Sequence, residues 1–334
     1  MKTKLIAEVG VNHNGNINIA KKIIRSAKKI GVNIIKFQFY TTEKLILPNT
    51  PMAEYQTKNY QNKKIVDQYK LLKKYEFNLK QHISLSKYCR KLGMEYCCSF
   101  FHEDDVKYSK LLGLKRIKIP SGELNNFLLL KQISKLNKKI ILSTGMSNFK
   151  DLNKSLDFLI KNGQDKKKIT VLHCCSAYPT LPKDLNLNSI EYLKKKLNKI
   201  SVGFSDHSNS IFTPMMAVLK GADIIEKHIT LSNKSKGPDH LASLNITDFS
   251  KMIDLIKIAE ISIGSLQKKI NISEKKNIFF VKKSLVAKRD IKKGEKFDYN
   301  NLTAMRPLKG KSVDKLKNFL GKKSKKNYRK NQII

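Results

Sequence analysis

Two apolar stretches of the sequence each end on a histidine with acidic neighbours. VGFSDHS ends on Asp206 and His207, and DIIEKHIT ends on Glu226 and His228. A buried strand favours branched apolar side chains, so a polar cluster at its end requires partners or a ligand. Neutral imidazole suits a divalent transition metal, whose other positions water or substrate can fill. We therefore predict a metal site at His207 and His228, with Asp206 and Glu226 orienting the two rings.

A second group of residues could hold an anionic substrate, because fixed cations and hydroxyl donors suit phosphate and carboxylate oxygens. The sequence contains no Walker-type glycine loop, which disfavours a P-loop nucleotide enzyme. A Schiff-base aldolase would also use a lysine at a strand end, and either Lys118 or Lys227 could serve. Residue chemistry alone leaves both possibilities open. The members of this group are Lys36, Ser99, Lys118, Ser121, Ser143 and Ser205.

These polar residues follow a regular alternation of short apolar runs and amphipathic segments. Segments such as INIAKKIIRSAKKIG carry apolar residues at three- and four-residue spacing, which is typical of helices. Eight such units over about 260 residues predict an α/β fold, a parallel (β/α)8 TIM barrel with its active site at the C-terminal strand ends. A doubly wound open sheet is the alternative, although it rarely contains eight equal units. The predicted strands cover residues 4–10, 32–38, 94–100, 116–122, 139–145, 169–175, 200–206 and 223–229.

The pattern changes after residue 264. The polar stretch LQKKINISEKKN is followed by short β runs and a KKGE turn, without another βα unit. Such a shift in composition and periodicity indicates a domain boundary. We predict a catalytic barrel over residues 1–264, a linker over 265–281, and a small, mostly β domain over 282–334.

Composition narrows the class of protein further. No apolar run approaches the ~20 residues that span a bilayer, and the first apolar stretch breaks at Glu8, unlike a signal peptide. The five cysteines are odd in number and four form adjacent pairs, which favours reduced thiols in the cytoplasm. The formal net charge of +40 comes from 61 lysines and 6 arginines. Nucleic-acid readers use arginine forks and interleaved aromatics, so we predict solvated helix faces and neither nucleic acid nor membrane as partner.

The motifs taken together resemble the sialic acid synthase family. The resemblance follows chain order through the whole barrel, and the tail, from SLVA through DIKKGE to Arg306-Pro307, resembles the SAF (antifreeze-like, β-clip) domain of that family. Nearly the full chain is covered. The barrel motifs are IAEVGVNHNG, VNIIKFQ, AEYQ, KIPSGE, ILSTGM, HCCSAYPT, GFSDHS, IEKHIT and GPDHLAS.

The resemblance implies a condensation of phosphoenolpyruvate with an N-acylated mannosamine-type sugar. In this family C3 of phosphoenolpyruvate attacks the open-chain sugar aldehyde, water adds at C2, and the tetrahedral intermediate loses phosphate by C–O cleavage. The product is a nine-carbon 3-deoxy-2-keto sugar acid. The resemblance also implies a divalent metal, usually Mn²⁺ with Mg²⁺ or Co²⁺ as alternatives, and a domain-swapped homodimer.

The resemblance assigns roles by position. His207 and His228 are the implied metal ligands, and Glu123 is the implied acid or base near the reacting carbons. The implied phosphoenolpyruvate-binding residues are Lys36, Ser99, Lys118, Ser121, Ser143, Ser176 and Ser205. The implied sugar-binding residues are Glu8, which is also counted as catalytic, Tyr178, Asp239, Phe280 from the linker, and Arg306 from the SAF domain of a partner subunit.

Three stretches depart from the family pattern. Strand three ends in Cys-Ser-Phe-Phe instead of Ser-Thr-Pro-Phe, which replaces a threonine hydroxyl by that of Ser99. Cys175-Ser176 stands where an amide or hydroxyl often faces the phosphate. After Arg306-Pro307 the chain reads Leu-Lys-Gly instead of Gly-x-Gly, which could alter the turn that presents the arginine.

The sugar and the class of protein each have an alternative. N-acetylmannosamine, which would give N-acetylneuraminate, is the first expectation, and 2,4-diacetamido-2,4,6-trideoxymannose, which would give legionaminate, is the second. The motifs GPDHLAS and AEYQ disfavour a pseudaminate synthase. The alternative to an enzyme is a basic protein that binds polyanions and contains an inactive barrel.

Overall fold

The computed structural model describes residues 2–53, 56–57 and 67–334. The chain divides into two compact units, Met1–Gly264 and Ser265–Ile334. Among the described residues, no helix combines the length and apolarity required to cross a membrane.

The first unit is a closed barrel of eight parallel strands, which confirms the predicted fold class. Each strand pairs with the next in the chain, and β1 pairs with β8 to close the sheet, which rules out the open doubly wound alternative. The strands are β1 Lys4–Glu8, β2 Ile34–Phe39, β3 Glu95–Phe100, β4 Arg116–Ile119, β5 Lys139–Ser143, β6 Ile169–Cys174, β7 Ser201–Asp206 and β8 Ile224–Thr230. A two-residue strand, β9 Leu244–Asn245, pairs in parallel with the last two residues of β8.

Amphipathic helices surround the strands, with their apolar stripes packed against the outer face of the sheet. The sequence defines their ends: Asn148 and Asp151 form a reciprocal capping box, and Gly163 follows the same helix with φ of 100°. The helices of this unit are α1 Ile17–Lys29, α2 Thr42–Leu45, α3 Gln68–Tyr75, α4 Leu79–Lys91, α5 Phe127–Ser134, α6 Phe149–Lys161, α7 Asn188–Lys196, α8 Thr213–Leu219 and α9 Ile246–Ser262.

The barrel interior contains an apolar layer and, beyond it, a polar layer. Side chains alternate faces along a strand, so the residue two positions after an inward-pointing residue also points inward, nearer the C-terminal end. A Cβ at Gly203 would lie 2.3 Å from Ile224, so glycine alone fits β7 at the apolar layer. The apolar cluster consists of Ile6, Ile34, Cys97, Ile141, Leu172 and Ile224. Two positions further along the same strands stand Glu8, Lys36, Ser99, Ser143, Cys174 and Glu226.

The second unit contains helix α10 Ile272–Val281 within the predicted linker and a two-stranded antiparallel sheet, β10 Ser284–Ala287 with β11 Leu302–Met305. Isolated bridges, such as that between Ile291 and Tyr328, tie the remaining segments together. A small apolar core holds this unit: Ala287, Ile291, Phe297 and Leu302, with Leu316, Phe319, Tyr328 and Ile334 packed against it.

Candidate active site

A buried network of charges lies at the centre of the barrel's polar layer, and Glu226 connects it. Lys118 Nζ donates to both carboxylate oxygens of Glu226, at 2.9 and 3.0 Å, and also to the hydroxyl of Ser143. Ser205 Oγ donates to the same carboxylate at 3.0 Å, and Lys36 Nζ lies 3.8 Å from it. Burial alone would raise the pKa of Glu226, but Lys118 and Lys36 lower it to about 2. The carboxylate is therefore ionised at neutral pH.

Lys36 joins this network to Glu8. The Lys36 ammonium lies 2.8 Å from Glu8 Oε2 and 3.4 Å from Ser99 Oγ, and Gln38 donates to Glu8 Oε1 at 3.1 Å. Burial opposes the charge on Lys36, but Glu226 and Glu8 outweigh it and hold the pKa above its ordinary value. The pKa of Glu8 is raised, mainly by burial and with a contribution from Glu226, although Lys36 opposes the rise. Two fixed ammonium groups therefore face the interior, each held by a carboxylate.

Two further serines meet beside this network, where β4 and β6 lead into their loops. Gly145 N donates to Ser121 Oγ at 3.0 Å, and Ser121 Oγ donates to Cys174 Sγ at 3.6 Å. A Cβ on Gly145 would lie 2.1 Å from Ser176 Oγ and 2.9 Å from Ser121 Oγ. The absent side chain of Gly145 thus makes room for two hydroxyl groups that the sequence assigns to phosphate binding.

The two histidines lie together at the top of the polar layer, with ring centroids 5.5 Å apart. His207 Nδ1 donates to the Cys175 carbonyl at 2.7 Å, which leaves the lone pair on Nε2. His228 Nδ1 is buried and has no hydrogen-bond partner among the described residues, and the pKa of His228 is well below its usual range because of burial and the neighbouring His207. A neutral imidazole with an orphaned nitrogen suits a transition metal.

The residues present therefore fit the predicted metal site, as an open site with two protein ligands. Across the described ranges, no three His, Cys, Asp or Glu side chains are arranged to enclose an ion. Asp239 Oδ2 lies 3.9 Å from His228 Nδ1, and burial raises the pKa of Asp239 to about 6. Water or substrate would have to complete such a site.

A cavity of about 370 Å³ opens above the histidines. The Tyr178 ring lies 4.1 Å from that of His207, tilted by 37°, and edge-on at 6.0 Å to that of His228. Glu123 lines the same cavity and accepts a hydrogen bond from Asn126, while burial raises the pKa of its carboxyl group. Apolar side chains in the wall are Val11, Leu45, Ile46, Leu71, Leu72 and Phe101; the polar ones also include Gln38, Tyr40, Gln56, Gln68, Tyr75 and Asp239, and the Pro238 ring lines the cavity as well.

The structure corrects the predicted role of Asp206. Strand alternation directs Ser205 and His207 inward, so Asp206 between them points outward to the helix layer. There it accepts from Lys227 Nζ at 2.7 Å and from Thr213 Oγ1 at 2.5 Å. Asp206 therefore does not orient the histidines. Lys227 is fully buried in this outer pair, and Lys118 Nζ is bound to both carboxylate oxygens of Glu226, so neither is arranged as a Schiff-base nucleophile.

Two predicted sugar-binding residues belong to the second unit. Phe280 is exposed on α10, with 65% of its surface accessible, and Arg306 is exposed just after β11. Within the AEYQ motif, Glu54 and Tyr55 lie outside the described residues, whereas Gln56 lines the barrel cavity.

Sequence reasoning missed Cys174 in the inner layer and assigned Glu226 to the histidines, whereas its hydrogen-bond and ion-pair partners are lysines and a serine. Cys174 Sγ lies 3.8 Å from His207 Nδ1, and Glu226 bridges the two lysines instead of only supporting a histidine. The signal was available in the sequence, because both stand two residues beyond an inward apolar residue of their own strand.

Comparison with known protein families identifies the class of this barrel. Residues 23–268 match the NeuB family and residues 282–334 match the SAF domain. The chain therefore belongs to the NeuB family, whose members include sialic acid and legionaminic acid synthases, and it carries a C-terminal SAF domain. The predicted family is confirmed.

Individual relatives align over nearly the whole chain. The N,N'-diacetyllegionaminic acid synthase of Campylobacter jejuni is 43% identical over 333 residues, which cover 100% of this chain and 99% of that protein. The protein of the same name from Legionella pneumophila is 34% identical, covering 95% and 89%. Among solved structures, the N-acetylneuraminic acid (sialic acid) synthetase of Leptospira borgpetersenii superposes with a TM-score of 0.72 at 28% identity, covering 83% of this chain and 90% of that chain.

Proposed function

We propose that this protein condenses phosphoenolpyruvate with 2,4-diacetamido-2,4,6-trideoxymannose and water to form a legionaminate-type sugar acid, with release of phosphate. One observation carries the proposal: two buried ammonium groups and a set of hydroxyl donors lie beside a partly apolar cavity that is lined by His228, and His207 lies next to His228. Such a site can hold a small polyanion at its base and a larger, partly apolar molecule above it.

Phosphoenolpyruvate would occupy the polar layer. Lys36 and Lys118 provide fixed positive charge there, because each is held by an ion pair with a buried carboxylate. The hydroxyl groups of Ser121 and Ser176 stand together at Gly145, where they can donate to phosphate oxygens. Ser99, Ser143 and Ser205 border the same charges and complete the proposed phosphoenolpyruvate contacts.

The sugar would occupy the cavity above. Two acetamido methyl groups and a C6 methyl group give the trideoxy sugar three apolar contacts, and the six apolar wall residues match them. Asp239, Tyr178 and Glu123 stand where they can bind the remaining hydroxyl and amide groups. The 43% identity to a legionaminic acid synthase supports the same choice.

N-acetylmannosamine is the second candidate. The cavity also contains the amides of Gln38, Gln56 and Gln68 and the hydroxyl of Tyr40, which could bind the C4 and C6 hydroxyl groups of that sugar. Its condensation would give N-acetylneuraminate, the first expectation from the sequence.

In the proposed reaction a C–C bond forms between C3 of phosphoenolpyruvate and the sugar aldehyde carbon, and the aldehyde oxygen takes up a proton. Glu123, whose raised pKa favours the protonated form, is the proposed donor. Water then adds at C2 and loses a proton, after which the C2–O bond to phosphate breaks and the keto group forms. A divalent metal held by His207 and His228, with Mn²⁺ first expected, would polarise the aldehyde oxygen. Lys36 and Lys118 hold the phosphate and carboxylate charges throughout.

The sugar choice is tested by phosphate release from phosphoenolpyruvate with each sugar, in Mn²⁺ and after chelation. We expect release to require metal and kcat/KM to be at least about tenfold higher for the diacetamido sugar, since buried methyl groups contribute about 0.8 kcal/mol each. A preference for N-acetylmannosamine would instead support the second candidate. Release that persists fully after chelation would contradict the metal assignment.

We further propose that the enzyme is a cytoplasmic, domain-swapped homodimer in which Arg306 and Phe280 complete the sugar pocket of the partner subunit. All five cysteines are free, which suits a reducing compartment. Arg306→Ala is expected to raise the KM for sugar much more than the KM for phosphoenolpyruvate, because the guanidinium would contact the N-acyl group alone. Steady-state kinetics with each substrate varied in turn provides the measurement.

Complementation separates the two possible arrangements. When Arg306→Ala and His207→Ala subunits are folded together, we expect about one quarter of wild-type activity, since half the dimers would contain one intact swapped site. No recovery in mixed dimers, together with the KM effect, would show that Arg306 acts within its own subunit.

Gly145→Ala is expected to raise the KM for phosphoenolpyruvate by about tenfold, because the new methyl group must displace Ser176 and Ser121. The KM for sugar and the thermal midpoint should change little. Gly122→Ala is the matched control, since a Cβ there meets no atom within 4 Å. Equal effects of the two substitutions on phosphoenolpyruvate binding would contradict this role of Gly145.

A further inference from the structure

The C-terminal domain carries an unusually high density of positive charge. Residues 282–334 contain 18 lysines and arginines against 4 aspartates and glutamates, a formal net charge of +14. This is more than a third of the charge of the whole chain in about a sixth of its length. Such a concentration attracts anions to this domain.

Part of this charge surrounds a cavity of about 540 Å³. The cavity has the size of a small-molecule site, and no carboxylate lines it. Asn318 adds an amide to the wall. The charged lining residues are Lys311, Lys315, Lys322, Lys323 and Lys325.

Four of the five ammonium groups around this cavity have no ion-pair partner among the described residues. Throughout this fully described domain, the one ion pair involving these five lysines joins Lys315 to the exposed Asp314 at 3.6 Å. Like charges that converge without a counter-ion repel one another, and a bound anion would relieve that repulsion. Lys311, Lys322, Lys323 and Lys325 can therefore bind an anion without breaking an existing ion pair.

The backbone that carries the lysines is fixed. Phe297 N donates to Lys322 O at 3.0 Å, and Ser324 N donates to Glu295 O at 2.7 Å. An isolated antiparallel bridge joins Lys296 and Lys323. A ligand would consequently restrict lysine side chains but would not have to order a loop, which lowers the entropic cost of binding.

The floor of the cavity is aromatic. Phe297 is buried in the small core, and Phe319 and Tyr328 pack edge-on against it at 5.9 and 6.0 Å between ring centroids. Phe319 and Tyr328 each remain partly exposed to the cavity. Lys326 Nζ lies 5.0 Å from the Tyr328 ring centroid, so a cation already uses one of these rings.

We propose that this cavity binds a nucleoside polyphosphate. The phosphates would lie among the lysines, and the base would lie against the exposed parts of Phe319 and Tyr328. An inorganic polyphosphate would leave the aromatic floor unused. A nucleic-acid polymer would need an extended groove, whereas the volume of this cavity, about 540 Å³, suits a single nucleotide.

Fluorescence anisotropy of ribose-labelled ATP with the full-length protein, with and without phosphoenolpyruvate, tests the proposal. We expect saturable binding that phosphoenolpyruvate does not displace, and weaker competition by tripolyphosphate than by unlabelled ATP. The double variant Lys315→Glu/Lys322→Glu should weaken ATP binding by about tenfold or more. The control Lys288→Glu/Lys292→Glu makes the same charge change on exposed lysines that do not line the cavity.

Three results would overturn the proposal. Equal weakening by the two double variants would mean that ATP responds only to overall charge. Displacement by phosphoenolpyruvate would place the nucleotide in the barrel. Competition by tripolyphosphate or by a single-stranded DNA 20-mer that equals competition by ATP would identify a general polyanion surface with no use for the aromatic floor.

Discussion

Lys118→Met is expected to lower kcat/KM for phosphoenolpyruvate by about 10²–10³-fold, the usual cost of removing one preorganised charged donor from an active site. Lys118 is 2% exposed and joins Glu226 to Ser143 inside the barrel. Methionine keeps the aliphatic stem and removes the charge. The fold should survive, because Glu226 retains Lys36 at 3.8 Å and Ser205 at 3.0 Å. Steady-state phosphate release provides the measurement.

The result has a control within the barrel. Lys227→Met removes an equally buried ammonium group from the outer face of the sheet, so loss of charge in general can be separated from loss at this position. A Lys118→Met enzyme whose kcat/KM stays within about threefold of wild type would show that Lys118 does not bind the substrate.

Lys227→Met is expected to reduce the free energy of unfolding by about 3–5 kcal/mol, because it leaves the fully buried Asp206 carboxylate without a cation. Lys227 Nζ also donates to the Ser208 carbonyl, which would lose that donor. Remaining donors to Asp206 are Thr213 Oγ1 and Ser208 N. Urea denaturation followed by circular dichroism gives the difference.

A second substitution, Asp206→Asn, tests whether the unpaired carboxylate causes this loss of stability. Adding it to Lys227→Met removes the unpaired charge while keeping an acceptor for Thr213 and Ser208, so much of the lost stability should return. If the double variant were no more stable than Lys227→Met, the lost hydrogen bond to the Ser208 carbonyl would account for the loss instead of the uncompensated carboxylate.

The barrel could be predicted from local sequence patterns because the start and end of each strand and helix are marked within its own βα unit. Apolar runs, amphipathic segments and glycines such as Gly163 mark where strands and helices end, and the closure of eight parallel strands follows from their number. The strand ends were predicted within a few residues. Helix α10 was not predicted, because INISEKKNIFFV lacks a continuous apolar stripe and none of its residues is buried.

The site was only partly predictable. Polar residues at strand ends can be recognised in the sequence, and this is why the sequence pointed to Lys36, Lys118 and the two histidines. Pairing depends on which face each side chain occupies, and Asp206 was placed beside His207 although adjacent strand residues point to opposite sides. The central position of Glu226 in the charge network was not predicted, because its partners, Lys118 and Lys36, are distant in sequence.

The net charge was interpreted as that of solvated helix faces, and its distribution along the chain was not considered. A mean taken over 334 residues conceals that the last 53 carry about three times the charge density of the barrel. What the pattern could not show is that five of those lysines surround one cavity, since their arrangement depends on the pairing of residues near 296 with residues near 323.

Condensation with cleavage of the C–O bond of phosphoenolpyruvate is the central claim, and the fate of the bridging oxygen tests it most directly. Phosphoenolpyruvate labelled with ¹⁸O in the C–O–P bridge would be incubated with the enzyme, Mn²⁺ and the diacetamido sugar, and both products analysed by mass spectrometry. We predict that the released phosphate carries the label and that the nine-carbon keto acid takes its C2 oxygen from water. Unlabelled phosphate, or the absence of phosphate release with either candidate sugar, would contradict the account.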